Sequence, residues 1–213
     1  MNFKEYQARA RRPCYPDYMG MFFSRVSIRL SFLLAQTPLT PNQLTIMSTA
    51  VALLGTVMVQ DSNYLVRVLG IVVWFFGYIL DFADGEIARH KRMETEFGHW
   101  FDGVTDRIKD FGLYTAMTVL AARTSESMLV VVTGLMALGG AIVYSYASTY
   151  GFKATSVSVG PLDRFGNIYY GLMAVFIVLD RPFVFLAIVA FSSLGALALS
   201  ICSTLIRSHA RPP

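Results

Sequence analysis

Charge is the first thing this chain lacks. Lys, Arg, Asp and Glu make up 15% of its 213 residues, against about 25% in an ordinary soluble domain. Hydrophobic residues make up 54%, and mean hydropathy is +0.50. That balance excludes a soluble globular class and places the chain among helical membrane proteins. Cysteine is nearly absent. Cys14 and Cys202 lie near opposite ends, which supports neither a disulfide framework nor a thiolate metal site. Residues 1–20 are polar and basic, without the apolar core of a cleavable secretory signal. No internal repeat, low-complexity tract or second domain is visible.

What is present organises into helices. Residues 1–20 read as a cytoplasmic lead-in with Arg9, Arg11 and Arg12 close to Pro13 and Pro16. From Met21 to Gln36, Phe22, Val26, Leu30 and Leu33 recur at helical spacing, while Ser24, Arg25, Ser27, Arg29 and Ser31 favour another side. Two arginines argue against a full span, so this segment reads as an amphipathic helix lying in the membrane interface. Pro38 and Pro41 break it. Six candidate spans follow, near Asn42–Gln60, Tyr64–His90, Gly98–Arg123, Met128–Tyr150, Phe165–Leu179 and Pro182–Ile206. The expected fold is therefore all-α, a six-helix membrane bundle over 42–208, preceded by a lead-in and interfacial helix over 1–41 and followed by a tail over 209–213. All but three of the 18 Lys and Arg residues fall in the N-terminal region, the 89–109 region, the 153–164 loop and the tail. The exceptions are Arg67, Arg123 and Arg181. The positive-inside rule then puts both termini and the 81–106 region towards the cytoplasm. The net charge of +4 is thus topological and lipid-facing, and a nucleic-acid partner is not expected.

Four aspartates break the apolar pattern as two pairs: Asp81 with Asp84, and Asp102 with Asp106. Spacings of three and four put each pair on one helix face. Carboxylates in apolar segments are costly and mark functional sites. Four oxygen donors converging from two adjacent helices suit hard divalent cations such as Mg²⁺ or Mn²⁺. Two such ions about 4 Å apart would neutralise the set and bridge a diphosphate. On the first helix Asp81, Asp84, Gly85, Ala88 and Arg89 form one stripe, with two small residues that admit a flat group and a guanidinium fit to hold phosphate. On the second, Gly98, Asp102 and Asp106 repeat every four residues.

These residues spell D-x2-D-G-x2-A-R-x8-G-x3-D-x3-D without a departure, eight specified positions within residues 81–106. The pattern is the signature of the CDP-alcohol phosphotransferase family, and the chain resembles that family. The six-span plan, the interfacial helix and the Pro41-Asn42-x-x-Thr45 start of the first span also look like it. The resemblance implies transfer of a phosphoryl-linked, phosphatidyl-type group from a CDP-alcohol donor to an alcohol acceptor, with release of CMP. It implies that Asp81, Asp84, Asp102 and Asp106 hold two Mg²⁺ or Mn²⁺ ions, with Asp106 as general base. It implies that Gly85, Ala88, Arg89 and Gly98 line the CDP site, joined by Asp84, Asn42 and Thr45. The Thr37–Thr45 segment and the D-G-E-I-A-R string resemble members that handle inositol phosphates. A CDP-linked lipid is the expected donor, with a small soluble CDP-polyol as the alternative, and a homodimer is the family's common assembly.

Plainer readings apply elsewhere. Asn42 and Thr45 also suit a helix start, with Asn42 as N-cap. Glu86 and Asp110, outside the motif, read as helix-end or solvent-exposed charges, and Arg107 and Lys109 as interface anchors. His90 and His99 are out of phase with the aspartates and read as surface residues. Gly139, Gly140 and Gly195 read as close helix packing. Lys153 and Arg164 are the candidate acceptor-binding residues. Two rival classes share the aspartates: an intramembrane prenyltransferase and a carboxylate-lined ion transporter. The first draws its aspartates from widely separated parts of a chain, and the second leaves the A-R and x8-G spacing without a purpose.

Overall fold

The computed structural model describes residues 2–11, 18–125, 127–155 and 168–209. Among them are eight helices and no strand: α1 (Phe3–Ala10), α2 (Tyr18–Leu34), α3 (Pro41–Val59), α4 (Tyr64–Lys91), α5 (Glu96–Ala122), α6 (Met128–Thr155), α7 (Ile168–Val178) and α8 (Pro182–His209). The all-α expectation holds. Four stretches, Pro41–Val59, Tyr64–Lys91, Met128–Ala147 and Pro182–Leu199, are long and apolar enough to cross a membrane. α5 carries Asp102, Asp106, Arg107, Lys109 and Asp110, and α7 has 11 residues, so neither reaches that standard. The chain divides into two compact units, Met1–Leu113 and Tyr114–Pro213.

In the first unit, α3 begins one residue earlier than expected and is capped by Thr40, not Asn42. The Thr40 hydroxyl accepts from the Gln43 N–H at 3.3 Å, and the Gln43 side chain accepts from the Thr40 N–H at 3.0 Å. Pro41 then occupies the first helical position, where its fixed φ fits and its missing N–H costs nothing. α4 starts from an Asn63 cap and ends at Arg92, whose φ of 55° lies in the left-handed region. The Met93 N–H closes that end by donating to the Ala88 carbonyl at 2.8 Å.

α3 and α4 touch backbone to backbone. A Cβ on Gly77 would lie 2.7 Å from the Ala52 nitrogen, and one on Gly70 would lie 2.8 Å from the Val59 nitrogen. Gly55 is equally tight against Trp74 and Gly70. Small residues allow this approach, and close packing is what binds helices where no hydrophobic drive exists between them and lipid. Leu44, Leu80, Ala83 and Ile87 form the core beside this seam, with Leu30, Leu34, Ala35 and Val51 packed against it.

α2 turns its serine side inward, and of its apolar stripe only Leu30 packs against the core. Ser24, Ser27 and Ser31 are buried together with Phe23 and Ile28, whereas Phe22, Val26 and Leu33 point outward. The serines turn inward because Glu86 of α4 is there to receive them. Ser27 and Ser31 donate to Glu86 Oε2 at 2.8 and 2.6 Å. Glu86 is fully buried, correcting its reading as a water-exposed charge. α1 lies within the polar lead-in, with Phe3, Tyr6 and Ala10 on one face and Asn2 as its N-cap. It forms by docking: Tyr6 and Ala10 are fully buried, with Tyr6 against Phe32 and 4.7 Å from the His90 ring. Burial pushes the Tyr6 phenol up to about 12, so it stays neutral near physiological pH. His90 is therefore a packing partner, not a surface residue.

In the second unit, α6 and α8 pack where Gly140 meets Ser193, and Gly134 meets Thr118 of α5 with no room for a side chain. Tyr114 stacks on Phe185 at 6.2 Å, and the Tyr169 hydroxyl donates to Ser192 at 2.9 Å. Gly139 and Gly195 face open space, so the close-packing expectation holds for Gly140 but not for them.

The α3–α4 seam makes a testable contrast. Gly77→Ala puts a methyl group against the Ala52 backbone, which cannot yield, and should cost about 1–3 kcal/mol. Gly103→Ala meets nothing within 4 Å and should stabilise by about 0.5–1 kcal/mol. Thermal unfolding of both variants in one detergent checks this; equal shifts would refute the seam.

Candidate functional site

The motif halves meet where the last turns of α4 face the first turns of α5. Asp81, Asp102 and Asp106 each offer a carboxylate oxygen, and these lie within 4.8 Å of one another. Asp84 stands apart from this trio. It is 6% exposed, and its Oδ2 accepts from the Thr45 hydroxyl at 2.5 Å. Ser48, one turn further along α3, donates to Asp81 Oδ1 at 3.1 Å. The close α3–α4 seam thus delivers two hydroxyls to the first carboxylate pair, and α5 brings the second pair to Asp81.

The remaining motif residues make contacts of their own. The Arg89 guanidinium folds back over Gly85, where a Cβ would stand 3.2 Å from Nη1. Its Nε donates to the Ala10 carbonyl of α1 at 2.6 Å. Gly98 lies beside Asn42: a Cβ on Gly98 would be 3.5 Å from the Asn42 side-chain oxygen. The starts of α3 and α5 therefore come together, which places Asn42 with Gly98. Thr45 is committed to Asp84 and to the Pro41 carbonyl at 3.1 Å. Ala88 is half-buried on the same stripe. Lys91 pins the approach to α3, donating to the Thr37 and Leu39 carbonyls at 3.0 Å each.

Two sequence readings require correction here. Lys109 is not an interface anchor. Its ammonium is buried and pairs with Asp81 at 2.5 Å and with Asp106 at 2.9 Å. Its signal in the sequence is its place three residues after Asp106, on the same helix face. Asp110 is not a solvent charge either: it is buried and pairs with Arg107 at 3.1 Å. His99 is exposed as expected. Lys153 falls in the last turn of α6, not in a loop, and its side chain lies outside the described residues. Arg164 lies outside them altogether.

The donor set is all oxygen and closely spaced, which suits a hard divalent cation. Three carboxylates against one ammonium leave negative charge that a further cation would offset. The fold and this site together define a helical integral membrane protein with an aspartate cluster built for a divalent metal. The profile of the CDP-alcohol phosphatidyltransferase family matches residues 38–201, and the chain belongs to that family.

Relatives of known kind agree. Over 124 residues the chain is 32% identical to the bifunctional IPC transferase and DIPP synthase of Aquifex aeolicus, covering 58% of this chain and 27% of that one. It is also 32% identical over 124 residues to the phosphatidylinositol phosphate synthase of Mycobacterium marinum, covering 58% and 52%. The chain thus aligns with about a quarter to a half of those relatives' length. The crystal structure of Mycobacterium tuberculosis phosphatidylinositol phosphate synthase with CDP-DAG bound superposes with a TM-score of 0.71 at 19% identity, covering 84% of this chain and 94% of that one. The same enzyme in complex with manganese and citrate gives 0.66 at 19% identity, covering 84% and 88%. These likenesses carry the fold.

Thr45→Val tests the α3 contribution. It removes the hydroxyl from a buried carboxylate while keeping the shape, and should cost about 1–3 kcal/mol of stability. An unchanged unfolding midpoint in detergent would show that Asp84 does not depend on Thr45.

Proposed function

We propose that this chain transfers a phosphatidyl-type group from a CDP-linked lipid to the hydroxyl of an alcohol acceptor, an inositol phosphate, and releases CMP. The observation that carries this is the convergence of Asp81, Asp102 and Asp106 within 4.8 Å inside the complete family motif. The relatives named as phosphatidylinositol phosphate synthases, and the one solved with CDP-DAG, support the choice of donor and acceptor.

In this reading Asp81, Asp84, Asp102 and Asp106 hold two Mg²⁺ or Mn²⁺ ions, which when bound supply Lewis-acid stabilisation of the diphosphate. The manganese complex of the mycobacterial structure supports a divalent cofactor. Arg89 holds a donor phosphate through its planar fork, and its tie to Ala10 sets the guanidinium's direction. Gly85, Ala88, Gly98 and Asn42 line the nucleotide, with Thr45 acting on it through Asp84. Asp106, whose side chain is 38% exposed, takes the proton of the acceptor hydroxyl. The acceptor oxygen bonds to the phosphorus that carries the lipid alcohol, the bond to the CMP phosphate breaks, and CMP leaves with the electron pair. Lys153 and Arg164 would bind the acceptor's phosphate.

The same reading treats 42–208 as a six-span catalytic domain and 1–41 as its interfacial element. It places both termini and the site at the cytoplasmic face, on the bias of Lys and Arg. The assembly is a homodimer.

The decisive assay is CMP release from a labelled CDP-lipid by the full chain in membranes with Mg²⁺ or Mn²⁺ and an acceptor. Release should vanish with EDTA and return with added metal. Asp102→Asn should lower turnover at least about 100-fold with its elution profile unchanged. No CMP release across CDP-lipid and CDP-polyol donors would refute the reading. Arg164→Ala should raise the acceptor KM about tenfold with donor KM unaffected; an unchanged acceptor KM removes Arg164 from the site.

A further inference from the structure

Lys109 lies outside the family motif, yet its ammonium sits within the carboxylate cluster. The residue is 4% exposed. It reaches across from α5 to Asp81 of α4 at 2.5 Å while contacting Asp106 of its own helix at 2.9 Å. It therefore joins one carboxylate from each motif pair, and both are among the three that could hold a metal. The shared oxygen is specific: Asp81 Oδ1 accepts from Lys109 and also from Ser48 at 3.1 Å. A buried ammonium is tolerated only when its partners satisfy it, and here two carboxylates do.

We propose that Lys109 is a resident monovalent cation of this site: it holds Asp81 and Asp106 together without metal and makes divalent-metal binding weak until the diphosphate of the donor arrives. This rests on the metal-dependent transfer proposed above. The physical reason is charge. With Lys109 paired to Asp81 and Asp106, a divalent ion at those oxygens faces a positive neighbour at ion-pair distance and competes for the same lone pairs. The donor's diphosphate adds negative charge beside the cluster and offsets that repulsion. Metal and donor then bind with positive coupling, each raising the other's affinity by the same factor. Lys109 is a positioning residue in this scheme, since it acts through Asp81 and Asp106.

The test is Mn²⁺ binding by electron paramagnetic resonance to the full chain in detergent, with and without CDP-diacylglycerol. In the wild type the donor should tighten Mn²⁺ binding about tenfold or more. Lys109→Met keeps the length and removes the charge; it should bind Mn²⁺ about tenfold tighter without donor and lose most of the coupling. Lys109→Arg keeps a cation and should retain the weak, donor-coupled binding. A merely structural lysine would leave Mn²⁺ affinity unchanged or lowered in Lys109→Met, and that result overturns the proposal. Should Lys109→Met not elute as a folded species, the wild-type comparison decides, because donor-independent Mn²⁺ affinity also overturns it. No Mn²⁺ binding in any sample would refute the metal-dependent reading itself, a result distinct from tight binding without coupling.

Discussion

Everything at the site depends on how closely α3 approaches α4. Gly55, Gly70 and Gly77 let the two backbones meet with no side chain between them. Along α3, Thr45, Ser48, Ala52 and Gly55 follow one another at spacings of three and four and make a single stripe. Along α4 the facing stripe runs through Gly70, Gly77, Asp81 and Asp84. The glycine half of the seam fixes the distance, and the hydroxyl half then falls on the carboxylates. Thr45 meets Asp84 and Ser48 meets Asp81 because the glycines let the helices stand this close. Neither hydroxyl belongs to the motif, and both orient it.

α4 is consequently a helix with a different polar partner on each side. α3 supplies hydroxyls to Asp81 and Asp84, and α5 supplies Lys109 to Asp81. α2 supplies two serines to Glu86, and α1 supplies the Ala10 carbonyl to Arg89. Polar groups in so apolar a surrounding are costly unless satisfied, and satisfying them prescribes where each neighbour packs. Not every polar atom is drawn into this scheme: Glu86 Oε1 is buried without a hydrogen-bond partner. The stretch Asp81 to Arg89 thus serves two purposes at once. It carries the chemistry, and it organises the N-terminal helices around itself.

Several features were legible from residues alone, and for identifiable reasons. The carboxylate stripes follow from spacings of three and four, and the helix ends at Asn63 and Pro182 follow from local chemistry. α2 was legible as a helix, but its inward face was not. Phe22, Val26 and Leu33 point outward, and the serines face protein because of Glu86, 55 and 59 residues away. α1 carries a short stripe of Phe3, Tyr6 and Ala10 behind an Asn2 cap, and its partners Phe32 and His90 are distant in sequence. In a membrane chain the polar side of a helix is the side that needs a partner, so the inside-out rule of soluble proteins misleads.

The sequence by itself determined the membrane class, the all-helical plan and the motif that places the chain in its family. Those depend on composition and on spacing within single helices, which the chain carries locally. Only the tertiary structure decided that Asp84 pairs with Thr45 apart from the other three aspartates, and that Lys109 enters the cluster. The same holds for Arg89 reaching back to Ala10. Each of these joins residues on different helices, and their geometry follows from how near the glycines let those helices come.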